Sequence, residues 1–270
     1  MSAWQFGYGF FYVSLQEMSN VQSWLVSRHE AGVKTLAVLF DPDDDTDLRG
    51  AVAQHALRHG VNLFLAGGSL LTEGNTYRCV DELKKKGAER VVLFPGNEIQ
   101  IVSNADAILF MSLISGRNPE YLIAKQVAIA PFIHRSGLET IPTGYLLIEG
   151  GKMTTAHYIS QTMPIPADKP EIAATTVMAG AMLGMKAMYL DAGSGAAHRV
   201  SSEMTAAVRN IFNGVLFVGG GIRDAQSAET AWNAGADIVV VGNAAFENPD
   251  TIREIAEVFN KLNSTKVTMS

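Results

Sequence analysis

Three hydrophobic runs in the C-terminal third of the chain end abruptly in glycine: AMYLDAGSG at 187–195, VLFVGGGIR at 215–223 and IVVVGN at 238–243. Glycine has no Cβ, so such endings let bare backbone N–H groups close around an anion. In succession they describe a phosphate cup that needs no lysine, with Gly193, Ser194, Gly195, Gly220, Gly221, Gly242 and Asn243 as candidates. Tyr189 and Asp191 stand two apart and so share one face of a strand. If that face points inward, a phenol and a carboxylate reach the cup together. Asp191 can then orient or deprotonate a substrate hydroxyl. A buried Tyr–Asp hydrogen bond is the structural alternative.

Two earlier runs also end in polar residues. TLAVLF at 35–40 runs into Asp41-Pro42-Asp43-Asp44-Asp45. A carboxylate there can hold a hard cation such as Mg²⁺, which bridges phosphate oxygens. Asp41, directly at the strand end, is the candidate. Asp44, Asp45 and Asp47 read as the cap and first-turn acids of the next helix. LFLA at 63–66 runs into Gly67-Gly68-Ser69. The Ser69 hydroxyl can assist a cation or a diphosphate, although such a triplet is also an ordinary loop. The six histidines form no metal-ligand pattern, and His134, His157 and His198 read as loop-surface residues. No Gly-x-Gly-x-x-Gly opens a helix and no Gly-x-Ser-x-Gly elbow occurs, which argues against Rossmann cofactor binding and α/β-hydrolase chemistry.

These endings must be positioned by strands. Eight candidates appear, at 35–40, 63–66, 91–94, 107–111, 144–148, 187–190, 215–218 and 238–241. Most are continuous apolar runs, as expected for parallel strands covered on both faces. Helix-like stretches at 48–59, 76–86, 119–130, 169–184, 201–212 and 225–234 lie between them. The alternation predicts an α/β fold, a single (β/α)8 TIM barrel spanning 1–270, with 1–34 as a helical extension packed beneath it. The 95–105 interval is too short for a full crossover helix, so the third helix should be short or missing. The 150–170 interval carries three of the nine prolines and reads as a lid or as mobile surface.

At 270 residues and 47% hydrophobic, the chain can pack one large core. Its net charge of −6, with no basic run beyond Lys84–Lys86, speaks against nucleic acid as a partner. Cys79 is the only cysteine, which excludes an internal disulfide and suits a reducing, cytoplasmic setting. Residues 1–15 are apolar but lack a basic n-region, so no signal peptide is expected. No apolar run is long enough to span a membrane.

The joint pattern resembles the geranylgeranylglyceryl phosphate synthase family, which includes bacterial heptaprenylglyceryl phosphate synthases. The resemblance rests on Asp41-Pro42-Asp43, Ala66-Gly67-Gly68-Ser69, Tyr189 to Gly195, Val218 to Arg223 and Val240 with Gly242-Asn243. It implies a prenyltransferase that joins sn-glycerol 1-phosphate to a prenyl diphosphate, with Mg²⁺, to give an ether lipid precursor. It assigns Asp41 and Ser69 to the magnesium site. It assigns Tyr189, Leu190, Asp191, Ala192, Gly193, Ser194, Gly195, Gly220, Gly221, Gly242 and Asn243 to the glycerol phosphate cradle, with Asp191 and Tyr189 as catalytic residues. It further implies a homo-oligomer, dimer or hexamer, and a peripheral membrane contact, because donor and product are lipid-like.

Many bacterial members carry a lysine where this chain has Leu39, and another lysine where it has Asp44. The resemblance is therefore to the larger group shared by archaea and some bacteria, which implies geranylgeranyl diphosphate, C20, as donor. Phe94, Phe110, Met111 and Tyr145 are candidate linings of a prenyl groove, although large apolar residues fill barrel layers in any case. Three other readings stay open: another phosphate-binding barrel enzyme of biosynthesis, a non-catalytic phospholigand-binding barrel, and a prenyltransferase that takes 3-phosphoglycerate.

Overall fold

The computed structural model describes residues 20–267. Eight parallel strands close into a barrel in the order β1-β2-β3-β4-β5-β6-β7-β8. They are β1 (Thr35–Phe40), β2 (Leu63–Ala66), β3 (Val91–Leu93), β4 (Ala107–Leu113), β5 (Glu139–Leu147), β6 (Ala187–Asp191), β7 (Val215–Gly219) and β8 (Ile238–Val241). The predicted (β/α)8 barrel is the observed fold. β1, β2, β3, β6, β7 and β8 are buried on both faces almost throughout, which is why those runs are apolar without alternation.

Alternation survives in where each side chain goes. Ala37, Leu65, Leu109, Tyr189, Phe217 and Val240 pack inside the barrel. Leu36, Val38, Phe64, Leu190 and Val218 pack between the sheet and the helices. The register pairs inward residues with inward residues, as in Tyr145 with Tyr189 and Tyr189 with Phe217. Tyr189 and Asp191 therefore share the interior face.

The helices preceding and between the first strands are α1 (Val21–Glu30), α2 (Thr46–Arg58) and α3 (Thr76–Lys85). Those after β4 and β5 are α4 (Lys125–Ser136), α5 (Thr155–Ser160) and α6 (Pro170–Met182). The ring is completed by α7 (Ser202–Arg209), α8 (Ala225–Asn233), α9 (Asn243–Glu247) and α10 (Asp250–Val267). The expected break after β3 is present: a single 3-10 turn at Glu98–Gln100 replaces the crossover helix. With no helix over it, Phe110 on the outer face of β4 is only half-buried; its neighbour Met111, on the interior face, is half-buried at the mouth of the barrel. β5 begins five residues before its predicted start and includes Pro142. Pro142 lacks an N–H, yet its carbonyl still accepts from Lys186 N–H at 2.8 Å.

The opposite end of the barrel is closed by α1, whose Val21 and Leu25 enter the interior cluster. Its first N–H groups, on Val21 and Gln22, donate to the Glu139 carboxylate at 2.7 and 2.9 Å. Trp24 of α1 lies beneath two guanidiniums, Arg28 at 5.1 Å and Arg90 at 4.4 Å. The part of the predicted extension at 1–19 lies outside the described residues.

Glu139→Ala removes the acceptor from two helix N–H groups and the negative charge from a helix N-terminus. It should lower the unfolding free energy by about 1–2 kcal/mol in chemical denaturation, with little change in the site at the far end.

Candidate functional site

The C-terminal ends of the strands frame two connected spaces. One is a polar pocket of about 1240 Å³ reached by Asp41, Asp191, Ser194, Gly220, Gly242 and Asn243. The other is an apolar channel of about 840 Å³ running past Phe94, Ile101, Phe110, Met111, Tyr121 and Ile129. The channel occupies the side of the barrel where the helix after β3 is missing. All four aromatic and methionine candidates for a prenyl groove line it: Phe94, Phe110, Met111 and Tyr145.

The loops after β6, β7 and β8 form the glycine-rich wall. Gly193, Gly195, Gly220 and Gly221 have φ of +89°, +69°, +76° and +73°, a region that L side chains rarely adopt. At Gly220 a Cβ would also stand 2.6 Å from Asp191 Oδ1 and from Gly193 N. Ser194 Oγ donates to Asn243 Oδ1 at 3.2 Å, joining the β6 and β8 loops. No side chain caps the N-terminus of α9, which opens at this wall.

Three members of the predicted cradle do not line the pocket themselves. Leu190 faces the helix layer and Ala192 is buried there as well. The Gly193 N–H is used within the protein, donating to Asp191 Oδ1 at 2.7 Å. Their part is to shape the turn.

Asp191 is buried and held on both oxygens, by Gly193 N–H and by the Tyr145 hydroxyl, which donates to Oδ2 at 2.6 Å. Burial raises its pKa, and the hydrogen bonds from Tyr145 and Gly193 oppose that rise. The Tyr–Asp hydrogen bond weighed for Tyr189 is made by Tyr145 instead. Tyr189 is stacked between Phe94 at 4.9 Å and Phe217 at 5.6 Å, forming an aromatic floor under the pocket.

Across the pocket, Asp41 reaches in from the end of β1, and Asp44 and Ser69 line the same wall. Burial raises the Asp41 pKa to about 6; the Asp43 N–H opposes the rise, and the Asp44 and Asp43 charges add to it. Asp45 caps α2 as expected, accepting from Asp47 and Leu48 N–H. Asp44, expected among the caps, departs from that role: it faces the pocket and accepts from Asp41 N–H at 3.2 Å. Asp43 turns the other way and accepts from Thr72, Glu73 and Gly74, fastening the β1 loop to the β2 loop. The two loops approach so closely that a Cβ on Gly68 would stand 2.4 Å from Asp41 Oδ2.

Sequence reasoning missed three residues here. Gln100, fully buried in the 3-10 turn, accepts from Gly68 N–H at 3.1 Å and donates to Gly68 O at 2.8 Å. It thereby holds the Ser69 loop where a helix would otherwise stand. Arg223 brings a guanidinium to the polar pocket and anchors it on Ala196 O at 2.6 Å. It closes the VLFVGGGIR run, where a single arginine after three glycines carries no motif of its own. His157, expected at the surface, is buried in α5, where its Nδ1 accepts from Thr154 N–H. Burial lowers its pKa and the Asp191 charge raises it. No local sequence signal announces that burial.

The 150–170 insert covers both spaces: Thr155 borders the polar pocket, and Ala156, Ile159 and Ser160 border the channel. Ile165 fixes its far end by pairing with Ile148 beside β5.

The donor set on the β1 and β2 loops is all oxygen: the Asp41 and Asp44 carboxylates and the Ser69 hydroxyl. It fits a hard cation that keeps waters and shares substrate phosphates. Among the described residues no three His, Cys, Asp or Glu side chains converge into an all-protein metal cage.

A profile of the PcrB family matches residues 27–259. The geranylgeranylglyceryl phosphate synthase of Spirosoma linguale is 46% identical over 238 residues, covering 88% of this chain and 96% of the relative. That of Thermococcus gammatolerans is 42% identical over 229 residues, covering 84% and 90%. The crystal structure of (S)-3-O-geranylgeranylglyceryl phosphate synthase from Thermoplasma acidophilum in complex with its substrate sn-glycerol-1-phosphate aligns with a TM-score of 0.84. It has 27% identity and covers 90% of this chain and 100% of that one.

Because the folded Asp41 binds its proton more tightly than an unfolded aspartate, its contribution to ligand-free stability is complete below about pH 4 and is lost as pH rises through about 6. Asp41→Asn should remove that part of the pH dependence. The melting temperature of the variant should gain on wild type between these pH values; a constant difference would refute the assignment.

Proposed function

The chain belongs to the PcrB family and is a prenyltransferase, and we propose that it joins sn-glycerol 1-phosphate to geranylgeranyl diphosphate with Mg²⁺. The products are 3-O-geranylgeranyl-sn-glyceryl 1-phosphate, an ether lipid precursor, and diphosphate. The observation that carries this reading is the meeting of a polar, glycine-walled pocket with an apolar channel at Gly68, Ser69, Phe94 and Tyr145. A reaction between a small phosphate ester and a long hydrocarbon diphosphate needs that juxtaposition.

In this reading the glycerol phosphate anion lies against the wall of Ser194, Gly195, Gly220, Gly221, Gly242 and Asn243, with Arg223 adding positive charge. The prenyl chain lies in the channel. Asp191, held by Tyr145 and Gly193, accepts the proton of the C3 hydroxyl as its oxygen attacks the allylic carbon. Asp41, Asp44 and Ser69 would hold Mg²⁺, which supplies positive charge for the departing diphosphate. Leu39, rather than a lysine, lines the pocket, so the phosphate relies more on backbone donors.

Apolar exposed residues on α4 and at the end of α6, among them Val127, Phe132, Met182 and the C-capping Leu183, support a homo-oligomer. Ile99, in the turn after β3, and Met153, Tyr158 and Met163, in the 150–170 insert, are exposed and support a peripheral membrane contact. No described helix is long and apolar enough to cross a membrane. The single cysteine, buried Cys79, supports a cytoplasmic setting.

The test is a transfer assay with C15, C20 and C35 prenyl diphosphates and either glycerol phosphate enantiomer. The C20 donor and the 1-phosphate should give the fastest turnover, and turnover should require Mg²⁺. Asp191→Asn should lower kcat by about a hundredfold or more. Gly220→Ala should raise KM for glycerol phosphate. Absence of product from every donor with folded protein would overturn the reading. In light scattering, the particle mass should be a multiple of 29.0 kDa; a single-chain mass would overturn the oligomer.

A further inference from the structure

Four residues border both the polar pocket and the apolar channel: Gly68, Ser69, Phe94 and Tyr145. Of these, Tyr145 also touches the candidate base, through its 2.6 Å hydrogen bond to Asp191 Oδ2. Its ring is braced edge-on against two aromatic neighbours, Phe94 at 5.7 Å and Tyr189 at 5.6 Å. Those two rings are themselves stacked, with an interplanar angle of 8°. A tyrosine that only filled the barrel would not need its place at the junction of the two spaces.

We propose that Tyr145 is a catalytic residue with two functions: its hydroxyl aims the Asp191 carboxylate at the nucleophilic hydroxyl, and its ring borders the carbon where the allylic C–O bond breaks. The proposal rests on the prenyl-transfer reading above. In that reaction the bond from the allylic C1 to the diphosphate oxygen breaks, and its electron pair leaves on the diphosphate. The glycerol oxygen forms the new bond to C1, and its proton passes to Asp191. Bond breaking that runs ahead of bond making leaves positive charge on the allylic carbons. That charge is attracted to the negative face of an aromatic ring. The ring is already fixed by its neighbours, so little reorganisation is needed when the charge develops. Tyr145 keeps its own proton throughout: burial, then the Asp191 charge and hydrogen bond, hold its pKa well above the ordinary tyrosine value.

The two functions separate experimentally. Tyr145→Phe keeps the ring and removes the hydroxyl. It should lower kcat by about tenfold or more while leaving KM for the prenyl diphosphate within about threefold. The ring is tested by placing phenylalanine and its mono-, di- and trifluorinated analogues at position 145, since fluorine withdraws the ring's negative face with little change in volume. Turnover should fall stepwise across that series, by about tenfold from end to end, with the melting temperature unchanged. A Tyr145→Phe variant with wild-type kcat overturns the role of the hydroxyl, and a flat fluorine series overturns the role of the ring. Wild-type enzyme is run alongside. If it makes no product, the prenyl-transfer reading fails and Tyr145's role falls with it; an active wild type with both negative results isolates the failure to Tyr145.

Discussion

Closure of eight parallel strands into a barrel is the constraint on which everything else depends. Each strand must send alternate residues inward, and closure brings the inward residues of all eight strands to a common end. Asp41, Tyr145 and Asp191 meet there although more than a hundred residues separate the first from the second. None of these side chains chooses its direction. The pairing of Tyr145 with Tyr189 and of Tyr189 with Phe217 decides it.

The interior below that end is filled so that the site has a dry floor. Phe94, Tyr189 and Phe217 stack, and Tyr145 closes the group edge-on. The floor excludes water from beneath Asp191, which is why its carboxyl is pushed upward in pKa and why it needs donors on both oxygens. Rigidity at the floor contrasts with the walls, which are loops. There the work of positioning passes to side chains that fasten one loop to the next. Asp43 ties the β1 loop to the β2 loop, and Gln100 ties the β2 loop to the turn after β3.

Omission of one crossover helix converts a standard barrel into one with a side channel. A regular helix after β3 would cover Phe110 on the outer face of β4 and leave no passage for a hydrocarbon chain. The 3-10 turn leaves it half-open, and α5 and α4 border the space from the other side. The lost helix removes burial from the fold, and the polar ties of Gln100 take over part of its structural role.

Much of this was legible in the amino-acid order. Continuous apolar runs set the eight strands, with β1, β2 and β8 read to the residue, because a strand buried on both faces leaves an unbroken hydrophobic signature. The glycine endings and Asp41 were legible because backbone conformation and strand-end chemistry are local properties. The Asp45 cap was legible for the same reason, but only the tertiary structure decided that Asp44 points into the pocket and that Asp43 fastens the β1 loop to the β2 loop. It also decided that Tyr145, not Tyr189, holds Asp191, and that His157 and Gln100 are buried. The physical reason is the same in each case. These roles depend on contacts between segments far apart in the chain, and spacing along one segment carries no record of what the barrel brings against it.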